Sequence, residues 1–249
     1  MNSLALNFFA EIGKVSLLLG KILANLRYLH QDRRLFLEQA IRLGYNSLPL
    51  VMLVGLFTGA VSAWQANYQF ENYMPLRFLG YSVYKAVVIE LAPVLTGLVI
   101  AGRVASSIAA ELGSMKVTEQ IDALESLAID PIRFLVAPRF SAVSFMMPVL
   151  VILASFVAVM GGYFVSNFFL GISANTFFNE IPQHFTMYDL FACFVKAFVF
   201  GGITALIGCY IGINTEGGAE GVGKSTIQSF VWSSLLILMG DYILAVVLF

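Results

Sequence analysis

The sequence predicts an all-α integral membrane protein. Five transmembrane helices follow an amphipathic interfacial helix, and a short surface helix lies between the second and third spans. The 249-residue chain is 59% hydrophobic and only 12% charged, with a mean hydropathy of +0.85, outside the usual range of soluble proteins. Five apolar stretches each reach the roughly 20 residues that a helix needs to cross a bilayer. Because 14 basic residues are balanced by 15 acidic ones, the composition excludes a basic nucleic-acid-binding surface.

Residues 1–44 are predicted to lie outside the membrane core, and residues 45–249 form the transmembrane domain. Apolar and basic residues alternate at helical spacing over residues 1–27, which favours an amphipathic helix at the membrane interface. A signal peptide is not predicted, because the stretch has neither an uninterrupted apolar core nor a small-residue cleavage site. Residues 31–43 are more polar and predict a second helix that turns the chain into the membrane.

The apolar stretches place the five membrane spans at about 46–68, 82–109, 141–168, 190–213 and 227–249. In the first span, Gly55 and Gly59 form a GxxxG pair, which lets another helix approach closely. Its aromatic end is either an interfacial belt or part of a substrate vestibule.

Ionisable residues inside the later spans are costly in lipid and are expected to face the protein interior or a wet cavity. They include Glu90 and Arg103 in the second span, Lys196 in the fourth and Asp241 in the fifth. One interpretation is that Lys196 and Asp241 pair with each other, or with Arg103, as structural ion pairs. Another is a proton relay through Glu90, Lys196 and Asp241 in a proton-coupled secondary transporter.

The distribution of basic residues predicts the orientation of the chain, since cytoplasmic loops are enriched in lysine and arginine. The residues that this rule assigns to one side are Lys14, Lys21, Arg27, Arg33, Arg34, Arg42, Arg103, Lys116, Arg133, Arg139 and Lys224. The opposite loops contain Arg77 alone. The amino terminus and the surface helix are therefore predicted to be cytoplasmic, and the carboxyl terminus to face outward.

The polar stretch over residues 111–139 predicts the surface helix, at about 117–128. Thr118 is expected to cap its first turn, where acidic side chains suit the exposed amides and the positive end of the helix dipole. The expected apolar stripe comprises Ile121, Leu124 and Ala128. Asp130 precedes Pro131 and is expected to end the helix, because a residue before proline avoids the helical region. A helix of about ten residues cannot span lipid, so it either lies in a groove on a partner or joins two spans.

A dense set of residues in and beside this helix forms a specific motif: Glu111, Gly113, Met115, Val117, Thr118, Glu119, Gln120, Asp122, Ala123, Leu124, Asp130, Pro131, Pro138 and Arg139. With these residues the chain resembles the MlaE/YrbE permease family, the membrane subunits of ABC-type lipid transporters. The similarity extends at lower density over about 45–249. One departure is Ile89, where that family often has an arginine before the glutamate.

The resemblance implies a homodimer in the bacterial inner membrane that transports phospholipids or similar lipids between the inner membrane and the periplasmic side or outer membrane. It also implies a periplasmic carboxyl terminus, a periplasmic membrane-anchored MCE-type lipid-binding protein, and separate cytoplasmic ABC ATPase subunits that bind the surface helix as a coupling helix. ATP and Mg²⁺ would bind those subunits, and no cofactor is expected in this chain. The ATPase-coupling residues implied are Glu111, Gly113, Met115, Glu119, Gln120, Asp122 and Leu124. The lipid-binding residues predicted for a dimer seam are Val61, Trp64, Gln65, Tyr68 and Glu90.

Two further readings of the chain are less favoured. Residues 218–225 match the phosphate-loop pattern GxxxxGK[ST], but such a loop joins a buried strand to a helix, and a turn between two membrane spans leaves no room for that core. Glycines in a tight turn explain the match. A lipid-modifying membrane enzyme is disfavoured because no His/Asp/Cys constellation and no recognisable reactive serine are present.

Overall fold

The computed structural model describes residues 2–28, 32–70 and 74–249, with no side chains described for residues 2–8. Residues 1 and 31, which begin the predicted helices 1–27 and 31–43, lie outside the described residues. Within these ranges the secondary structure is helical and no β-strand is formed. We number the helices α1 Asn2–Asn25, α2 Arg33–Phe70, α3 Leu76–Val117, α4 Gln120–Ser126, α5 Ile132–Phe168, α6 Ala174–Phe178, α7 Glu180–His184, α8 Met187–Ile213 and α9 Gly218–Leu248.

Five of these helices, α2, α3, α5, α8 and α9, are long and apolar enough to cross a membrane. The prediction of an all-α membrane protein with five spanning helices is therefore confirmed. The polar segment before the first span is not a separate helix, because a π-helical turn at Ala40–Gly44 and a 3-10 turn at Tyr45–Ser47 join it to the span within α2. The predicted limit between residues 44 and 45 thus falls within one continuous helix.

Helices α2 and α5 pack with their backbones in contact. A Cβ atom on Gly59 would lie 1.7 Å from the carbonyl oxygen of Ala158, and one on Gly55 would lie 2.7 Å from that of Ala154. On α5, a Cβ atom on Gly161 would lie 2.3 Å from the carbonyl oxygen of Leu56. The close approach predicted from the GxxxG pair is confirmed, and the partner helix belongs to the same chain.

Within the described residues, four π-helical turns lie in the long helices, and each contains one ionisable residue. They are Ala40–Gly44 with Arg42, Val87–Leu91 with Glu90, Ala101–Ala105 with Arg103, and Ile132–Val136 with Arg133. A π-turn adds one residue to the helix ladder and is often found at functional sites. The extra residue shifts the helical register of the residues that follow it.

Helix α1 packs along α5 and α8 at the end of the bundle that carries α4. Ile22 is fully buried there, and the phenolic hydroxyl of Tyr210 on α8 donates a hydrogen bond to the carboxylate of Glu11. Hydrogen bonds from Lys14 and then Tyr210 lower the pKa of Glu11 below its ordinary value. The placement of α1 at a membrane interface remains a prediction.

Candidate functional site

Helix α4 is a seven-residue helix that folds back from the end of α3 between two residues of unusual backbone conformation. Glu119, just before it, has a φ of 60°, and Ala128, just after it, has a φ of 59°. In the described part of the chain, these are the only non-glycine residues with positive φ. Left-handed backbone brings the Cβ atom close to the following carbonyl oxygen, so it is uncommon outside glycine.

The predicted cap at Thr118 is wrong. Its hydroxyl donates to the carbonyl oxygen of Ser114 at 2.8 Å, and its backbone amide donates to the same oxygen at 3.1 Å, so Thr118 ends α3. The residue before α4 is Glu119, whose side chain makes no capping bond. The reversal of the chain thus begins one residue later than the Thr118 pattern indicates.

The end of α4 also differs from the prediction. The amide of Ile129 donates to the carbonyl oxygen of Leu124 at 3.0 Å and that of Ala128 to Glu125 at 2.9 Å, the pair of bonds that defines a Schellman ending. Ala128 is exposed, so it does not extend the apolar stripe. Asp130 begins the next helix instead, because its carboxylate accepts a 2.9 Å bond from the amide of Ile132.

One face of α4 is packed and the other is open. Ile121 is only 3% exposed and Leu124 is half-buried against the core. Glu119, Gln120 and Asp122, the predicted polar contacts, are all exposed. The carboxylate of Asp122 lies 2.8 Å from the Lys116 ammonium on α3, which ties the short helix to the longer one. A role in ATPase contact for these three residues stays a prediction.

Glu111, Gly113 and Met115 lie on the last turns of α3 and face the protein itself. One carboxylate oxygen of Glu111 accepts from the guanidinium of Arg139 at 2.8 Å and from that of Arg42 at 3.0 Å. Gly113 is buried, and a Cβ atom there would lie 2.8 Å from the hydroxyl oxygen of Thr215. These residues therefore join α3 to α2, α5 and the α8–α9 connection.

Met115 borders a cavity of about 240 Å³ beside the Glu111 ion pairs, between the first turns of α2, the end of α3 and the start of α5. The cavity is also lined by Glu38, Gln39, Arg42 and Arg139. Neither this cavity nor the Glu111 pairings were predicted from the sequence. The available signal was three charged residues, Arg42, Glu111 and Arg139, beside apolar spans.

Inside the bundle, Lys196 is fully buried between two carboxylates. Its ammonium lies 2.6 Å from the carboxylate of Glu90 and 3.0 Å from that of Asp241. The predicted pairing of Lys196 with Asp241 is confirmed, while Arg103 instead donates to the backbone carbonyl oxygen of Asn46. A second pair that the sequence argument missed joins Lys85 to Asp189, which is only 2% exposed.

The predicted lipid-binding residues of the first span lie on one exposed face of α2. Val61, Trp64 and Tyr68 are 66%, 55% and 70% exposed, and Gln65 is exposed between them. Among the described residues, no hydrogen bond or ion pair links this face to Glu90, which binds Lys196 on α8. A lipid-binding role for these five residues stays a prediction.

The phosphate-loop pattern at residues 218–225 lies within the first turns of α9, and the α8–α9 connection is shorter than predicted. Gly217 has a φ of 87°, and Gly218 a φ of 66°. Thr215 donates a 2.9 Å hydrogen bond to the hydroxyl of Ser225. All residues of the pattern, including its glycines, are helical here, so the glycines do not form the loop that cradles phosphate.

This architecture defines a multi-pass membrane protein with a short surface helix held against the end of its second span. A family model described as "Permease MlaE" matches residues 36–247. The chain belongs to the MlaE family of ABC transporter permeases, which are transport subunits and not enzymes. The family resemblance in the sequence is confirmed, and the proton-driven and enzymatic alternatives are set aside.

Similar proteins come from several bacterial groups. The chain is 41% identical over 215 residues to a Rickettsia typhi protein named "Probable ABC transporter permease protein", covering 86% of this chain and 83% of the relative. A Synechocystis protein with the same descriptive name is 39% identical over 242 residues, covering 97% and 92%. The "Intermembrane phospholipid transport system permease protein MlaE" of Haemophilus influenzae is 33% identical over 245 residues, covering 98% and 94%.

Proposed function

We propose that this permease moves phospholipids or similar lipids between the inner membrane and the periplasmic side or outer membrane, and that a separate cytoplasmic ATPase drives it by binding α4. Membership of the ABC transporter permease family and the phospholipid transport name of the Haemophilus relative support this proposal. The observation that carries it is the geometry of α4, a short helix with an exposed polar face between two strained residues.

The backbone at Glu119 supports a role for its side chain. A non-glycine residue in the left-handed region costs roughly 1–2 kcal/mol, which glycine would avoid. Such strain is concentrated at functional sites. Glu119 is exposed and makes no capping bond, so its carboxylate does not repay this cost within the chain. A partner that contacts Glu119, Gln120 and Asp122 together would offset the free-energy cost of this strained backbone.

The contacts of α4 provide a route for motion into the membrane. Burial of Ile121 and the Lys116–Asp122 pair fix α4 to the end of α3. Five residues before Lys116, Glu111 links α3 to α5 and α2 through two arginines. Because packed helices move as rigid bodies, a displacement of α4 by the ATPase would move these three spans together.

A homodimer would complete the lipid site. The exposed face of α2 carries Val61, Trp64, Gln65 and Tyr68, an apolar surface with polar groups near one end, which suits an amphiphile. A second copy against this face would enclose a cavity that one chain leaves open. ATP and Mg²⁺ would bind the ATPase partner, and an MCE-type protein on the periplasmic side would exchange lipid with the cavity.

Charge reversal on α4 tests the ATPase contact. Glu119→Lys keeps the strained backbone but reverses the charge, and Asp122→Arg also removes the pair with Lys116. Both variants are expected to abolish co-purification with the ATPase, while membrane insertion stays intact. The control is Glu220→Lys, an equal charge reversal at an exposed residue at the start of α9. Wild-type co-purification of both α4 variants would disprove the proposed contact.

The phospholipid content of the purified complex tests the predicted lipid-binding residues on α2 and α3. Trp64→Ala and Glu90→Ala are each expected to reduce the phospholipid that co-purifies with the complex, as measured by mass spectrometry. Lys196 keeps Asp241 as a partner in Glu90→Ala, so the buried ammonium remains paired. Phe156→Ala is the control, because Phe156 on α5 is 62% exposed, similar to Trp64 at 55%. Equal lipid loss in the control, or none in either variant, would refute the lining.

A further inference from the structure

A second cavity, of about 230 Å³, lies between the first part of α2 and the middle of α3. It is lined by Arg42, Leu43, Asn46, Arg103, Val104 and Ser107. Leu43 and Val104 are buried and form its apolar wall, while the four polar residues are exposed. This cavity belongs to neither the α4 surface nor the α2 face.

The charge in this cavity is positive. Two guanidinium groups line it, and no carboxylate does. One nitrogen of Arg42 donates to Glu111 at 3.0 Å, and one nitrogen of Arg103 donates to the backbone carbonyl oxygen of Asn46. A guanidinium has five N–H donors, so both arginines have capacity for a further acceptor. Across the described residues, no carboxylate lies within ion-pair distance of Arg103.

The cavity lies where the charge-free parts of two spans begin. On α2, no charged residue occurs between Arg42 and the end of the helix at Phe70. On α3, none occurs between Glu90 and Arg103, which are about 20 Å apart along the axis at roughly 1.5 Å per residue. The charge-free stretches therefore indicate a membrane boundary near the cavity on the α4 side, which is the depth of lipid phosphates. Arginine side chains near helix ends reach the headgroup region at this depth, where lipid phosphates provide a counter-charge.

Both arginines lie in π-helical turns, at Ala40–Gly44 and at Ala101–Ala105. Each turn departs from the regular helix at the position of its arginine, and such departures are often found at functional sites. Asn46 and Ser107 follow each arginine by four residues, one turn further along the same helix face. Two helices therefore present the same arrangement, a guanidinium followed by a hydrogen-bonding polar side chain, to one cavity.

We propose that this cavity binds the phosphate of an anionic phospholipid in the leaflet on the α4 side. Arg42 and Arg103 bind the phosphate oxygens, Asn46 and Ser107 donate hydrogen bonds, and the first acyl carbons contact Val104. Basic pockets between spanning helices on this kind of boundary suit lipid headgroups. The bound lipid holds the start of α2 against α3 and is separate from the transported lipid, since the cavity lies far from Glu90.

The test uses the full chain, purified in detergent and stripped of lipid. Dioctanoyl phosphatidylglycerol is titrated and binding is followed by native mass spectrometry, with dioctanoylglycerol and inorganic phosphate as comparison ligands. Wild type is expected to bind the phosphatidylglycerol at least about tenfold more tightly than either comparison ligand. Arg103→Gln is expected to weaken that binding about tenfold or more, the loss of one charge-assisted contact. Arg34→Gln, an exposed residue outside the cavity, should bind as wild type.

A second variant guards against misfolding of Arg103→Gln. Ser107→Leu keeps both arginines and fills the cavity, so it is expected to lose the lipid in the same way. Equal binding of dioctanoylglycerol, or wild-type binding in both cavity variants, overturns the proposal. Equal binding of inorganic phosphate overturns the assignment to a lipid. No ATPase is present in this measurement, so its result does not depend on the proposed ATPase contact at α4.

Discussion

Replacing Glu111 by glutamine should destabilise the protein far more than removing Arg42, although both residues belong to one ion-pair cluster. Arg139 has a side chain only 5% exposed, and its guanidinium nitrogen lies 2.8 Å from the Glu111 carboxylate. At an effective dielectric constant of about 20, this separation corresponds to roughly 6 kcal/mol of attraction before desolvation. Glutamine leaves the buried guanidinium without a counter-charge, which costs about 3–5 kcal/mol.

Arg42 provides the matched comparison. Its side chain is 51% exposed, so its 3.0 Å pair with the same carboxylate is expected to contribute only about 0–1 kcal/mol. Thermal unfolding in detergent should therefore show a decrease of about 10 °C for Glu111→Gln and at most a few degrees for Arg42→Gln.

A double variant distinguishes a specific pair from general damage. Adding Arg139→Gln to Glu111→Gln removes the uncompensated charge, so part of the lost stability should return, as the double-mutant cycle measures. Equal shifts for Arg42→Gln and Glu111→Gln would refute the reasoning. Strict additivity of the stability changes of Glu111→Gln and Arg139→Gln would also refute the reasoning, because Arg139 would then have its counter-charge elsewhere.

Three further predictions follow from packing, backbone strain and buried charge. Gly59→Ala should abolish a monodisperse profile in size-exclusion chromatography, because its Cβ atom would lie 1.7 Å from a carbonyl oxygen. Gly102→Ala, whose Cβ atom would have its nearest neighbour at 3.6 Å, should give the wild-type profile. Glu119→Gly should relieve left-handed strain yet weaken ATPase co-purification, whereas Ala128→Gly should relieve it without that loss. Lys196→Met should lower the melting temperature by about 10 °C, because two carboxylates lose their shared cation; an unchanged melting temperature would contradict this.

The five spans and the close approach at Gly59 could be predicted from the sequence because both depend on local composition. A charge-free apolar stretch of about 20 residues has few alternatives to a membrane helix, and a glycine pair marks a tight helix contact. The family motif also identified the α4 region. The length of each helix outside the bilayer was underestimated, because polar residues there continue the same hydrogen-bond ladder.

The ends of α4 could not be predicted, because left-handed backbone is normally signalled by glycine and here occurs at Glu119 and Ala128. The Glu111 pairs were missed for a different reason. They join residues 28 and 69 positions apart in the chain, and only the packing of α2, α3 and α5 brings them together. The Arg42 and Arg103 cavity likewise depends on two π-turns that leave no sequence pattern.

Site-specific cross-linking in cells tests the central claim most directly. The native cysteines, Cys193 and Cys209, are 2% and 0% exposed, so a single introduced cysteine can carry a short maleimide photo-cross-linker with little background. Gln120→Cys on α4 is expected to form a covalent product with the cytoplasmic ATPase, and Asn175→Cys, exposed on α6 at the opposite end, is expected to form none. An ATPase product from Asn175→Cys, or its absence from Gln120→Cys, would contradict the account.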